Sequence, residues 1–583
     1  MRYLALCCDY DGTLAHHGRI DEPTFAALER LKKSGRHLLM VTGRELDELQ
    51  SVCPRLDLFD RVVAENGALL YRPATREEQR LAERPPDAFV AALKARNVER
   101  ISVGRVIVAT WEPHENEVLE TIRDLGLELQ VIFNKGAVMV LPAGINKASG
   151  LRVALNELNL SAHNAIAVGD AENDHAFLSI CECGVAVANA LPALKERADI
   201  VTRGDHGAGV IELIDEILAN DLADREAQLV RHHVVLGKTA DGTNVRLSPY
   251  GINALVVGTS GAGKSSIAAG LIERLRANDY NYCIIDPEGD YDAIASTVVL
   301  GSPERPPTLD ECVHLISKPE TNAAINLLGV KFEDRPHFYL SLFARIQEVR
   351  ARTGRPHVLI VDEAHHVLPA EWQPAATALP ERWDGVLLVS VTPSLIAAPI
   401  LRTLDTVIVL GDKPQAMLDE FAAANGVEVP RVMSERAADI DAASTPIGPL
   451  ANGSALLWSK SSQRAPLLIQ VEPSKAERRR HLRKYAEGEL PAERSFYFRG
   501  PEQKLKLRAH NLILFMELAD GVDADTWEFH LRRGEYSQWL REAIKDPELA
   551  QLVGEIEQRS TLDAEQSRRE VRRLIEEKYT LPG

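Results

Sequence analysis

The sequence has no run approaching the eighteen apolar residues of a membrane-spanning helix, which excludes a helical membrane anchor. Its cysteines number seven, scattered and without a CxxC pair, which excludes a disulfide scaffold and a ribbon-type zinc site. Cys181 and Cys183 are the most closely spaced, and no further ligands accompany them, so they read as buried thiols in a reducing cytoplasm. Positive charge is in deficit: the net charge is −18, which argues against a generally basic nucleic-acid surface while leaving room for a local basic channel. The N-terminal Met1-Arg2-Tyr3-Leu4-Ala5-Leu6-Cys7-Cys8 has no small-residue cleavage site and reads as a first strand, not a signal peptide. Internal repeats and long low-complexity tracts are also missing. What remains is an ordinary globular composition, 45% apolar and 26% charged, in a 583-residue chain too long for one core.

Two α/β runs occupy most of the chain. From 1 to about 215, short apolar runs such as Leu38–Val41 and Ala165–Val168 alternate with helical patterns, which predicts a parallel sheet. Residues 216–231 read as a linker. His232 to Leu247 reads as a hairpin turning at Asp241-Gly242, and a second α/β run follows to about 415, within a segment 232–472. The remainder, 473–583, opens with the basic stretch Lys475–Lys484 and reads as mostly helical, with Gly488–Arg494 as a further linker.

Phosphate chemistry is written into both runs. Asp9-Tyr10-Asp11-Gly12-Thr13 ends the first strand, and carboxylates one residue apart there can divide labour, one attacking phosphorus and the other moving protons. Thr42-Gly43-Arg44 follows the next strand and offers a hydroxyl and backbone N–H groups to phosphate oxygens. Lys147 supplies a cation, and Asp170 with Asp174 supplies the oxygen ligands Mg²⁺ prefers. A turn, a surface lysine and a helix start explain each singly, but not all four in this order, each after a strand.

Residues 1 to about 215 resemble the haloacid dehalogenase superfamily, in the branch of Cof-type, sucrose-phosphate and archaeal phosphoglycolate phosphatases. Glu65-Asn66-Gly67-Ala68 and Gly184–Ala190 strengthen the likeness. The resemblance implies a Rossmann-like core with a small α/β cap at about 71–141, carrying strands near Ile101–Thr110 and Gln130–Leu141. It implies Asp9 as the nucleophile forming an aspartyl-phosphate and Asp11 as acid then base. Thr42 and Lys147 would bind phosphate. Asp9, the Asp11 carbonyl and Asp170 would hold Mg²⁺, with Asp174 behind them. Gly43, Arg44 and Asn173 would line the substrate.

The second run carries Gly258-Thr259-Ser260-Gly261-Ala262-Gly263-Lys264-Ser265, a complete P-loop between a strand, Ala254–Val257, and a helix opening at Ser266. Glycines allow backbone N–H groups to ring the phosphates, Lys264 reaches the β/γ oxygens, and Ser265 ligates Mg²⁺. Val358–Val361 ends in Asp362, a second Mg²⁺ ligand, and Glu363, placed to polarise water. His365 and His366 continue the turn and read as solvent-facing or capping residues. Cys283–Tyr291, with its Asp286-Pro287-Glu288-Gly289, resembles the second strand of HerA/FtsK-type ATPases. That likeness implies a RecA-like fold, usually a hexameric ring, that moves nucleic acid or protein. Val391 stands where those relatives carry a polar residue, and Arg402 is the candidate for an arginine acting on a neighbour's ATP.

The expected protein is therefore a cytoplasmic phosphatase joined to an ATP-hydrolysing motor or switch, using Mg²⁺ and ATP, as a homo-oligomer. Two alternatives stay open: a polynucleotide kinase-phosphatase and a phosphate-binding regulatory scaffold. Lys475–Lys484 with Phe496-Tyr497-Phe498 could bind nucleic acid, or could form a solvated basic helix. Trp527, His530, Leu531, Trp539 and Leu540 fall at helical spacings and read as core.

Overall fold

A computed structural model describes the chain except for residues 1, 135, 260, 292–293, 295, 373–382, 431–446, 463, 475–484, 487–489, 491–493, 545, 560–561 and 580–583. The structure is an α/β multidomain protein that divides into two compact units. One is Met1–Lys264 with Arg274–Glu472; the other is Ser265–Glu273 with Pro473–Gly583.

The N-terminal core is an eight-stranded sheet. Its centre is parallel: Ala5–Cys8 pairs with His37–Val41 on one side and Ala165–Gly169 on the other. Apart from the half-buried His37, these strands are apolar and buried, as a parallel sheet covered on both faces requires. Leu69–Arg72 and Glu77–Arg80 extend this same sheet as antiparallel strands. The separate cap sheet therefore begins later than the expected Tyr71. The cap has four antiparallel strands, Ser102–Val103, Val108–Trp111, Leu129–Asn134 and Ala137–Pro142, with helices Asp87–Ala95 and Glu115–Asp124. Each expected cap strand is in fact a hairpin, since the turns at Gly104 and Gly136 break the apolar runs.

Residues 216–231 are not a loose linker. Helix His206–Asn220 runs into this stretch, and Leu222 and Leu229 are buried in the N-terminal core. Apolar side chains at helical spacing, Val210, Leu213, Ile214 and Ile217, dock the helix.

The second sheet has eleven strands and is mixed. Its parallel heart runs Thr406–Leu410, Asn253–Gly258, Val386–Ser390, Val358–Val361, Tyr282–Asp286 in spatial order. The expected hairpin, Val234–Lys238 with Asn244–Leu247, lies at one edge.

The two α/β halves meet at the N-terminal ends of their strands, so their carboxyl ends, which carry the motifs, lie away from the junction. Arg2, Asn164 and Glu182 precede strands of the first sheet; Tyr250, Tyr280 and His357 precede strands of the second. Glu182 accepts from Arg2, from His163 Nδ1 at 2.8 Å and from Tyr280 Oη at 2.6 Å. His163 stacks on Tyr280 and reaches the Asn278 carbonyl at 2.6 Å. Asn164 lies 3.2 Å from His357 Nε2, and Arg355 donates to the Asn159 carbonyl at 2.8 Å. This is a buried, hydrogen-bonded joint, not a flexible tether.

The C-terminal unit is helical, with a small hairpin of Phe496–Phe498 and Leu507–Ala509. Trp527, His530, Leu531, Trp539 and Leu540 are buried in its core as expected. Phe496 and Phe498 are buried too, packed on Phe515 and Tyr536, so these rings offer no stacking surface for bases. Lys475–Lys484 lies outside the described residues.

Candidate functional site

Three parallel strands deliver the first site. Asp9 follows Ala5–Cys8, Thr42 follows His37–Val41, and Asp170 follows Ala165–Gly169, so adjacent carboxyl ends gather them in one crevice. Lys147 arrives differently, as the first residue of a helix capped by Asn146, whose side chain accepts from Ala148 and Ser149. That helix sits tight against the turn at Gly67, where φ is +102° and a Cβ would lie 1.9 Å from the Asn146 carbonyl. Only glycine lets the two backbones approach, which explains the Glu65-Asn66-Gly67 motif in this chain.

Lys147 Nζ is 2.5 Å from Asp9 and 2.6 Å from Asp174, and all three are buried. Asp174 also accepts from the backbone N–H of Asp170 and Ala171, at 2.8 and 2.9 Å. Asp9, Asp170 and Asp174 place carboxylate oxygens within 4.8 Å of one another. Burial, then repulsion from Asp174, pushes the Asp9 carboxyl well above its ordinary range. Burial alone would depress the Lys147 ammonium, but Asp174 and Asp9 more than reverse it. With all three carboxylates ionised, the cluster carries two more negative charges than the Lys147 ammonium offsets, and that excess is what burial opposes at Asp9. Hard oxygen donors with that surplus fit a divalent cation such as Mg²⁺.

Asp11 does not join this cluster. Its oxygens accept from Arg44 Nε at 2.6 Å and Nη2 at 2.7 Å. Thr42 is fully buried, and its hydroxyl accepts from the Arg44 N–H at 3.2 Å. Asn173 donates to Asn66 at 2.9 Å, and Asn66 packs against Gly43.

Glu65 was named from the sequence only as part of the Glu65-Asn66-Gly67-Ala68 motif, without a role of its own. Its buried carboxylate accepts from the N–H groups of Arg105, Val106 and Ile107, at 2.8, 2.7 and 2.9 Å, and so pins a cap loop to the core. Arg105 adds a bidentate pair with Asp47. An acidic residue two before a glycine carries no sequence signal for such a role.

The second site forms at the carboxyl end of the strand Asn253–Gly258. Gly261 and Gly263 have φ of +83° and +98°, which the loop needs to turn back on itself. Lys264 opens the helix Lys264–Ala277 and donates to the Gly258 carbonyl at 2.8 Å. Ser265 and Ser266 occupy the first turn of this helix; Ser260 lies outside the described residues. Asp362 and Glu363 end their strand one strand away, across Val386–Ser390. Burial, then Asp362, raises the Glu363 carboxyl to about 7.

Asp286 is an organiser of this site. Its carboxylate accepts from the N–H groups of Glu288, Asp290 and Tyr291, folding the turn after its strand. The turn delivers Tyr291, whose buried hydroxyl donates to Asp362 at 2.7 Å. His365 is half-buried and lies 3.2 Å from Ser390 Oγ and 3.5 Å from Glu363, so of the two expected roles, solvent-facing or capping, the first does not hold. Arg402 lies on helix Ala398–Thr403 and donates to the Ala424 carbonyl at 3.3 Å.

His163, Glu182 and His232 also bring ligand atoms together. Glu182 is already paired with the Arg2 guanidinium at 2.7 Å, and His163 spans Glu182 and Asn278. A cation there would compete with a guanidinium, so this set serves the junction.

Among proteins of known function, residues 6–104 and 94–214 match the model of haloacid dehalogenase-like hydrolases. Phosphoglycolate phosphatase 2 of Saccharolobus solfataricus is 30% identical over 223 residues, 37% of this chain and 94% of the relative. The chain belongs to the haloacid dehalogenase-like hydrolases. A phosphoglycolate phosphatase of Methanothermobacter thermautotrophicus is 31% identical, over 36% of this chain and 96% of its own. The solved sucrose-phosphatase of Synechocystis, in complex with sucrose and phosphate, aligns over 37% of this chain and 98% of its own at 19% identity, with a TM-score of 0.30. Residues 234–345 match the central domain of Helicase HerA. A hydrolase domain is thus followed by a HerA-like domain. No helix among the described residues is long and apolar enough to cross a membrane.

Proposed function

We propose that the chain is a cytoplasmic bifunctional enzyme: a Mg²⁺-dependent phosphomonoesterase joined to an ATP-hydrolysing, RecA-like motor or switch. The buried set of Asp9, Lys147, Asp170 and Asp174 carries the first half. Asp9 attacks phosphorus, the ester P–O bond breaks, and Asp11 gives its proton to the departing oxygen. Water then attacks the aspartyl-phosphate, Asp11 takes the water's proton, and Asp9 is released with inorganic phosphate. Lys147 neutralises charge on the phosphoryl oxygens, and Thr42 orients them. Bound Mg²⁺ would be held by Asp9, Asp170 and the Asp11 carbonyl and would lower the repulsion between carboxylate and phosphate dianion. The named relatives suggest a small ester such as phosphoglycolate as substrate.

The paired Asp362-Glu363 beside Lys264 supports ATP hydrolysis over phosphoryl transfer to an acceptor, and so favours this reading over a polynucleotide kinase. A ring-like homo-oligomer follows if ATP sits at a subunit seam, with Arg402 reaching a neighbour's nucleotide; a nucleic acid or protein would then be its cargo.

The test of the phosphatase is Asp9→Asn, which keeps size and removes the attacking charge. Phosphate release should fall by about 10³-fold or more and should need Mg²⁺. Near-normal release by that variant in EDTA overturns the assignment. For the ring, light scattering of Glu363→Gln with Mg²⁺ and ATP should give a defined oligomer; a monomer at all micromolar concentrations removes it.

A further inference from the structure

The strand Val386–Ser390 lies between the P-loop strand and the strand that leads into Asp362 and Glu363. Just beyond it, where a polar side chain was expected, stands Val391, whose carbonyl accepts from the Gly258 N–H at 3.2 Å. The polar side chain comes one residue earlier. Ser390 is fully buried at the end of a strand otherwise built of Val386, Leu387, Leu388 and Val389. A hydroxyl in such surroundings needs hydrogen-bond partners. It donates to the Thr392 carbonyl at 3.2 Å and meets His365 Nδ1, also at 3.2 Å.

The direction of that second contact follows from the protons present. Burial lowers the His365 pKa to about 4, so the ring is neutral and carries a single N–H. The Ser390 proton goes to Thr392, so the hydroxyl accepts from His365 and the ring proton sits on Nδ1. The same Nδ1 lies 3.5 Å from Glu363 Oε2, a buried oxygen with no hydrogen-bond partner among the described residues. In the ionised form that activates water, Glu363 can only accept. Its backbone is held at φ +39°, in the left-handed region that a residue with a Cβ adopts only where its surroundings impose it. Its N–H is fixed to Asp362 at 2.9 Å. The backbone is thus set, and the end of the carboxylate faces an imidazole N–H anchored by Ser390.

We infer that His365 is a positioning residue for Glu363: its Nδ1–H takes one carboxylate oxygen, which turns the other toward the attacking water, and Ser390 fixes the ring that does so. This rests on the ATPase reading above. A small rotation of the imidazole closes the gap to Oε2, and catalytic contacts of this kind tighten when substrate is in place. The step balances as ATP hydrolysis does: the water oxygen bonds to the γ-phosphorus, the bond to the ADP oxygen breaks, and the water proton leaves through Glu363. His365 keeps its own proton throughout. A polar side chain at 391 is not needed, because the strand Val386–Ser390 reaches the glutamate through Ser390 and His365.

Steady-state ATP hydrolysis by the full chain with Mg²⁺, beside binding of a fluorescent ATP analogue, tests this. His365→Ala removes one hydrogen bond to a charged group and should lower kcat by about 10- to 30-fold, with KM and analogue binding within about twofold of wild type. His365→Asn, whose Nδ2 stands close to the place of Nδ1, should recover kcat to within about threefold, and Ser390→Ala should lower it by about fivefold. In a Glu363→Gln background, adding His365→Ala should cost less than about a further twofold, because the carboxylate it positions is already gone. A full additional loss there, an Asn variant as slow as the Ala variant, or analogue binding that falls with kcat would show His365 to be a packing residue and overturn the inference. So would an unchanged kcat in His365→Ala while Glu363→Gln is slow, an outcome that leaves the ATPase reading standing. If the wild type hydrolyses no ATP in a Glu363-dependent way, the ATPase reading fails and the inference falls with it.

Discussion

Replacing Glu182 with glutamine tests whether the two α/β halves are one joined body. The carboxylate is 3% exposed and takes hydrogen bonds on both oxygens: Oε1 from Arg2 at 2.7 Å, and Oε2 from His163 and Tyr280 at 2.8 and 2.6 Å. Burial opposes its charge, but His163, Arg2 and Tyr280 together hold it well below the usual carboxylate range. Glutamine has nearly the same shape. Whichever oxygen becomes an amide nitrogen, however, a donor then faces a donor, and the buried guanidinium loses its counter-charge. Breaking one side of a buried pair costs about 3–5 kcal/mol. At roughly 2–4 °C per kcal/mol for a large domain, the first thermal transition should fall by roughly 10 °C. Calorimetry of the full chain reads this, and hydrogen exchange should rise at residues 161–164 and 278–281 together. Phosphatase turnover at 25 °C should stay near wild type. The strand Ala5–Cys8 puts about 16 Å between the junction at Leu4 and the proposed nucleophile Asp9. A transition within about 1 °C of wild type, with exchange unchanged, would refute the claim that this joint is a stabilising contact.

Gly354→Ala should loosen the same joint by steric means: φ there is +68° and a Cβ would lie 2.2 Å from Asn164 Nδ2, so urea denaturation should report a loss of about 2–4 kcal/mol. His232 is held neutral by burial, with its pKa lowered from 6.5 to about 4. The unfolded chain takes up that proton first, so the stability is full above about pH 6.5 and is lost as pH falls toward 4, by about 1–3 kcal/mol. Thermal midpoints from pH 7 to 5 should show the decline, and His232→Gln should flatten it. Lys264→Ala should weaken ATP binding, whereas Glu363→Gln should bind fluorescent ATP normally and hydrolyse it about 100-fold more slowly. Equal loss of binding in both would reverse the roles given to these residues.

Much of the proposed chemistry is legible in the sequence because it is local. Asp9 and Asp11 lie on one turn, the P-loop glycines on one loop, and Asp362 and Glu363 at one strand end. Each cluster follows an apolar run, and a strand that ends in a carboxylate or a glycine turn predicts a site at the carboxyl edge of a parallel sheet. The hairpin at Asp241-Gly242 and the buried aromatics from Trp527 to Leu540 were readable for the same reason, since turn chemistry and helical spacing are short-range signals.

Other features depend on which distant residues meet, and no periodicity encodes that. Tyr280 reaches Glu182 across 98 positions, and His357 lies beside Asn164 across 193. The stretch 216–231 has a linker's polarity, yet Leu222 and Leu229 are buried because the core offers them apolar surface. Glu65 gained its role only when the cap loop folded back onto it, and Tyr291 only when Asp286 closed its turn. The sequence by itself located the two sets of candidate groups, because each short motif follows an apolar run that reads as a strand of a parallel sheet. The tertiary structure decided that Arg44 occupies Asp11, that Phe496 and Phe498 are core, and that the two halves join at the ends remote from their motifs. Those outcomes follow from burial and from pairing between segments far apart in the chain, which short-range patterns leave undetermined.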